Sequence, residues 1–235
     1  MRLDKILANM GYGSRKEIKK ICKNGMVRVD GVVAKDSSMH VDPSTQEIVI
    51  AGEVVHYREI VYLMMNKPQG VVSATEDLVD ETVVDILDPE YYSFDVFPVG
   101  RLDKDTEGLL LLTNDGKLAH ELLSPKKHVP KMYFARIEGR VTEEDAAKFK
   151  KGVTLDDGYT TLPAELNIIS QGTISEIELT IYEGKFHQVK RMFQAVGKKV
   201  IFLKRLTMGN LSLDEELEPG EYRELTEEEI DLLRG

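Results

Sequence analysis

The densest group of reactive side chains is the stretch Val99-Gly100-Arg101-Leu102-Asp103-Lys104-Asp105-Thr106-Glu107-Gly108, which runs into Leu109-Leu110-Leu111-Leu112 and then Thr113-Asn114-Asp115-Gly116. Four consecutive leucines read as a buried strand. A polar loop at the end of such an element can hold a side chain in register, as a reactive group requires. The paired carboxylates Asp103 and Asp105 would suit a small-molecule enzyme. Taken by itself, a loop with this many charges is more often a solvated connection.

Other catalytic patterns are missing. There is no phosphate-binding Walker loop, and Gly11-Tyr12-Gly13 lacks both a third glycine and a preceding strand, which argues against nucleotide-fuelled or dinucleotide chemistry. The histidines His40, His56, His120, His128 and His187 show no paired ligand spacing, so no metal is expected. Nothing resembles a nucleophilic serine elbow. The single cysteine, Cys22, excludes an internal disulfide, and its place in the helical pattern KEIKKICKNG makes it a packing residue.

Charge narrows the partners. The net charge of −10 over 235 residues is concentrated at one end. Residues 211–235 carry ten acids against Arg223 and Arg234, which leaves a net charge of only −2 for the other 210 residues. Within those, Lys185, Lys190, Arg191, Lys198, Lys199, Lys204 and Arg205 fall in an acid-free stretch. Lys126, Lys127, Lys131 and Arg136 form another. Such clusters suit a surface that follows phosphates, because neutralising phosphates releases counterions. No apolar run approaches the roughly 18 residues that span a bilayer, and MRLDKILANMG lacks a signal peptide's apolar core. A cytoplasmic protein with no membrane partner is expected. No long apolar surface helix suggests a partner chain, so a monomer is expected.

Two regions must position these groups. In the first 57 residues, Leu3, Ile6 and Leu7 share a helical face, Gly11 and Gly13 end that helix, and Ser14 can cap a second through Ile18, Ile21 and Cys22. MVRVDGVVA then alternates around Asp30-Gly31, which predicts a tight hairpin, with a further strand at Glu47 to Ile50 turning at Ala51-Gly52. The second helix and the hairpin carry Arg15, Lys16, Lys19, Lys20, Lys23 and Arg28, the expected RNA-contacting surface. From residue 60 the pattern changes to longer strands at 60–65, 71–73, 108–113, 132–138, 162–169, 174–182 and 200–208. Helices are predicted at 82–86, 117–123, 142–150, 187–196 and 226–233. This order is not regular strand-helix alternation, so an α+β fold with a mixed, mainly antiparallel sheet flanked by helices is predicted.

RLDKILANMGYGSRKEIKKICKNGMVRVDGVVAKD resembles the S4 RNA-binding module, implying an S4-like domain over residues 1–57. GRLDKDTEGLLLLTNDG is similar to the catalytic motif of pseudouridine synthases, whose essential Asp follows Arg-Leu and is here Asp103. NKPQGVVS, KMYFARIEG, EGKFHQVKRMF and LKRLTMGNLSL resemble the other blocks of that family, in order, implying a catalytic domain over 60–235. The S4-like start, the His-Gln-Val-Lys-Arg-Met-Phe block, the Ser-Pro-Lys-Lys-His segment and the ending PGEYRELTEEEI resemble the branch acting on small-subunit (16S) ribosomal RNA.

The resemblance implies isomerisation of a flipped-out uridine to pseudouridine, which needs no cofactor. Asp103 would attack the sugar C1′ or the base C6, or assist departure of the base, and Tyr133 would stack on the extruded uracil. Lys190 would keep the carboxylate ionised, with Arg191 able to share that role. Leu203 would form an apolar wall, Arg101 would hold a phosphate or fill the space left in the RNA, and Lys67 and His187 would line the entrance. The expected partner is small-subunit ribosomal RNA or its assembling particle. A non-catalytic RNA-binding or assembly factor, or the same chemistry on large-subunit RNA or tRNA, are the alternatives.

Overall fold

The computed structural model describes residues 1–234 as two compact units. The smaller comprises Met1–Val61 and Leu87–Val96, and the larger comprises Tyr62–Ile86 and the chain from Phe97 onward.

In the smaller unit, α1 (Leu3–Asn9) and α2 (Arg15–Lys23) precede β1 (Val27–Val29), β2 (Val32–Val33), β3 (Ile48–Ile50) and β4 (Glu53–Val54). The strands form an antiparallel sheet in the order β2-β1-β3-β4. Ser14 and Glu17 close a reciprocal capping box at the start of α2. Asp30 (φ 49°) and Gly31 (φ 78°) both take the left-handed conformation that a two-residue hairpin matched to strand twist demands. Leu3, Ile6, Leu7, Ile18, Cys22, Val27, Ile48 and Ile50 form the core, each fully buried aliphatic stabilising by roughly 1.5–3 kcal/mol. Cys22 is a packing residue, and burial raises its thiol pKa. The segment Leu87–Val96 joins this unit through a short 3₁₀ turn, Pro89–Phe94, whose Tyr91 and Phe94 are buried, with the Arg58 guanidinium 5.5 Å over the Phe94 ring.

The larger unit is a mixed sheet flanked by helices. Its elements are β5 (Tyr62–Lys67), β6 (Phe97–Pro98), β7 (Glu107–Thr113), α3 (Gly116–Leu123), β8 (Lys131–Glu138), α4 (Glu143–Phe149), β9 (Glu165–Ser170), β10 (Ile174–Ile181), α5 (Gln188–Ala195), β11 (Lys199–Met208), β12 (Leu211–Ser212), β13 (Tyr222–Glu224) and α6 (Glu227–Arg234). Sheet order is β13-β5-β7-β11-β8-β10-β9, with β6 and β12 paired to β7 and β11. Every pairing is antiparallel except β7 with β11. All of β5, and β7 from Gly108 on, is buried on both faces, which is why the latter reads as an unbroken leucine run. Strands β8 and β10, toward the β9 end of the sheet, alternate between buried and more exposed positions. Ring packing of Phe149 against Phe193, centroids 5.0 Å apart, and the buried Lys198–Asp145 pair at 2.8 Å tie α4 to α5 and the turn after it.

Two predicted elements are absent. Residues 71–73 make only a single bridge, Val72 to Thr82. Residues 82–86 form turns, with the Asp85 carboxylate accepting from the Thr82 amide at 2.8 Å. That closure imitates a helix start, but Asp88 precedes Pro89 and is extended, so no helix follows. Strands β6, β12 and β13 were not predicted, being two or three residues long. No helix among the described residues is long and apolar enough to cross a membrane.

Candidate active site

The loop carrying Asp103 is built from below. Lys67, fully buried at the end of β5, donates from Nζ to the carbonyls of Pro68 (2.8 Å) and Thr106 (3.0 Å). Burial pushes its ammonium down to about 8, against the pull of Asp105 and Asp103. Ser73 Oγ donates to the Leu102 carbonyl and accepts from the Leu102 amide, and the Gly70 amide donates to the Lys104 carbonyl at 2.8 Å. Gly108 (φ 104°) then admits the loop to the sheet, since a Cβ there would collide with the backbone of Arg205 on the adjacent strand.

The helix α5 approaches from the other side. Buried Glu183 accepts from Gln188 Nε2 (2.9 Å), the Leu162 amide (2.9 Å) and the Tyr159 hydroxyl (2.6 Å), while Gln188 Oε1 accepts from the Lys185 amide. This network fixes the first turn, so that Lys190 Nζ lies 2.8 Å from Asp103 Oδ2 and 2.6 Å from Asp105 Oδ1. Burial opposes the Lys190 charge, yet the two carboxylates hold its ammonium above the usual lysine range. Burial likewise opposes the charge on Asp105, and the hydrogen bond from Lys190 holds its carboxyl below the usual range. Asp103 and Lys190 each keep a quarter of their side chain exposed, so the pair is partly dry and still reachable.

A cavity of about 140 Å³ opens beside this pair. Arg101, Asp103, Tyr133, His187, Lys190 and Leu203 all line it. Tyr133 and Leu203 are 8% and 5% exposed, and His187 Nε2 stands 3.6 Å from Asp103 Oδ1. The structure thus brings together six of the eight residues predicted for catalysis or substrate binding.

The other two are corrections. Lys67 does not line the cavity entrance; it is buried beneath the loop, because β5 is covered on both faces and its terminal ammonium must turn to backbone carbonyls. Arg191 does not share the role of Lys190. One residue further along a helix is turned by about 100°, and Arg191 faces Asp156 (2.6 Å) and Asp157 (2.7 Å) instead.

Lys131, Thr106 and Arg205 also line the cavity, and the sequence reading did not assign them to the site. Strand parity could have found two of them: Lys131 lies two residues before Tyr133, and Arg205 two after Leu203. In the smaller unit, Arg15, Lys16, Lys19, Lys20, Lys23 and Arg28 are all exposed on α2 and β1, and among the described residues none is held in an ion pair. No cluster of three or more His, Cys, Asp or Glu able to hold a metal is found among the described residues.

Residues 61–195 match the RNA pseudouridylate synthase family and residues 1–46 the S4 domain. An uncharacterized RNA pseudouridine synthase of Bacillus subtilis, YtzG, is 60% identical over 99% of this chain and 98% of its own length. The ribosomal small subunit pseudouridine synthase A of Vibrio cholerae is 44% identical over 98% of each chain. A crystal structure of a pseudouridylate synthase superposes with a TM-score of 0.70, at 38% identity and 99% coverage of both chains. An Asp-bearing loop on a mixed sheet, paired with a lysine above a base-sized cavity, places the chain among RNA-modifying isomerases. The chain belongs to the RNA pseudouridylate synthase family and carries an S4 domain ahead of its catalytic region.

Proposed function

We propose that the chain converts a uridine of small-subunit ribosomal RNA into pseudouridine, in the cytoplasm and as a monomer, acting on the RNA or on an assembling small-subunit particle. The name of the Vibrio cholerae relative supports that substrate. Residues 1–57 bind RNA through Arg15, Lys16, Lys19, Lys20, Lys23 and Arg28, and residues 60–235 carry out the reaction.

The observation that carries the reading is the Asp103–Lys190 pair at the edge of a cavity that Tyr133 also lines. A uridine swung out of its stack enters with its base beside Tyr133 and Leu203 and its C1′ near Asp103. The glycosidic N1–C1′ bond breaks, the base turns, and a C5–C1′ bond forms as the C5 proton leaves and N1 is protonated. Asp103 supplies the carboxylate for this exchange, and Lys190 holds that carboxylate in place. Arg101 and His187 stand at the mouth, where the sugar-phosphate chain must pass. Atoms balance within one nucleoside, so the reaction calls for no cofactor.

The test is Asp103→Asn, an isosteric change. The purified variant is expected to form no pseudouridine in small-subunit rRNA while keeping its RNA affinity; undiminished formation would remove the catalytic role. Pseudouridine mapping in strains with and without the gene fixes the substrate. A site lost from large-subunit rRNA or tRNA instead would reassign it.

A further inference from the structure

The floor of the cavity holds cations with no acidic partner. Arg205 is 2% exposed, and its Nε donates to the Leu109 carbonyl at 2.7 Å, but its Nη2 is buried without any hydrogen-bond acceptor. Thr106 Oγ1, on the Asp103 loop, is also buried and unpartnered. Lys131, 8% exposed, gives one hydrogen bond to the Val129 carbonyl at 3.0 Å. Among the described residues neither Arg205 nor Lys131 is in an ion pair, and Asp103, the one acid lining the cavity, is taken by Lys190. Burial, reinforced by the nearby Arg205 charge, pushes the Lys131 ammonium down to about 8.

These groups share one face. Arg205 is directly opposite Tyr133 in the β11–β8 register, and Lys131 and Leu203 are two residues away on the same sides of their strands. Leaving a charged donor buried and unmade costs about 1–3 kcal/mol or more. An unpartnered guanidinium N–H and an unpartnered hydroxyl in the wall of one cavity indicate a ligand that brings acceptors.

We propose that Arg205, with Thr106 and Lys131, reads the carbonyl oxygens of the flipped base, so that the cavity accepts uracil and rejects cytosine. The proposal rests on the function given above and adds the specificity-determining residues. Uracil presents O2 and O4 as acceptors; cytosine replaces O4 with an amino group, whose N–H would face the donor-only guanidinium of Arg205 and ammonium of Lys131, while the Thr106 hydroxyl can serve either base. When the glycosidic bond breaks, the electron pair leaves with the base and spreads onto the same oxygens, where the fixed cations stabilise it. A phosphate is disfavoured as the occupant. A flipped nucleotide keeps its phosphates on the continuing chain, at the exposed mouth beside Arg101, and sends only its base inward.

The test uses the full chain with uridine 5′-monophosphate and cytidine 5′-monophosphate as probes, titrated calorimetrically. It depends neither on turnover nor on which RNA is the substrate. The wild type is expected to bind the uridine nucleotide at least about tenfold more tightly. Arg205→Met and Lys131→Met are each expected to reduce that preference to about threefold or less. Equal wild-type affinity for the two nucleotides, or an unchanged preference in either variant, overturns the proposal. If Arg205→Met fails to fold, Lys131→Met decides. Absence of pseudouridine formation on ribosomal RNA with the nucleotide preference intact counts against the proposed function instead.

Discussion

Arg15, Lys16, Lys19, Lys20, Lys23 and Arg28 of the smaller unit stand in water, whereas Lys67, Lys131 and Arg205 of the larger unit are buried. The exposed set lost little hydration on folding and is open to negative charge in any register. The buried set gave up water and must be satisfied by particular atoms: Lys67 by backbone carbonyls, Arg205 and Lys131 only in part by anything in the protein. Exposure therefore gives affinity that salt can remove, and burial gives selection for one chemical group.

The largest effect should come from Lys190, which lies between the two regimes. Lys190→Met leaves Asp103 and Asp105 as neighbouring carboxylates with no shared cation, and the rate of pseudouridine formation at saturating RNA is expected to fall by about 10²–10³. Single-turnover measurement checks it, and a loss smaller than about threefold would show that the pair is not the reactive centre. Next comes the exposed set. Replacing Lys16, Lys19 and Lys20 together with Gln should weaken RNA binding about 10- to 100-fold at low salt and reduce the salt slope by about two, read from filter binding across salt concentrations. An unchanged slope would mean that α2 meets no phosphates.

The smallest effect separates buried from exposed charge most sharply. The Lys131 ammonium titrates at about 8 when folded, below its ordinary 10.5, so the charged form opposes folding at pH 7. Between about pH 8 and 10.5 the unfolded chain holds a proton that the folded one has released, and stability from this group rises with pH. Lys131→Met should thus stabilise the protein by about 1–2 kcal/mol at pH 7 and by progressively less toward pH 10. Urea unfolding at both pH values checks this, and a variant less stable than wild type at pH 7 would contradict it.

Local rules made much of this legible in the sequence. The Ser14 cap and the Asp30-Gly31 hairpin each depend on residues close in the chain, and each is present. The site was partly legible because the motif resemblance pointed to Tyr133, Leu203 and Lys190, and all three line the cavity. Lys67 and Arg191 were misplaced because their environments come from elsewhere: a loop folded over the end of β5, and two aspartates 34 and 35 residues before Arg191. Arg205 went unassigned because its meaning depends on what it lacks, and a missing acceptor has no sequence pattern.

Strands β7 and β8 are successive long strands, yet β11, formed some 60 residues later, lies between them. Until it arrives, the sheet is two separate halves, one with the Asp103 loop and the other with Tyr133. Its insertion joins them and delivers Leu203 and Arg205 to the wall in the same step. A chain stopped short of β11 would have the Asp103 loop but no assembled cavity, so the site depends on a long-range closure of the sheet.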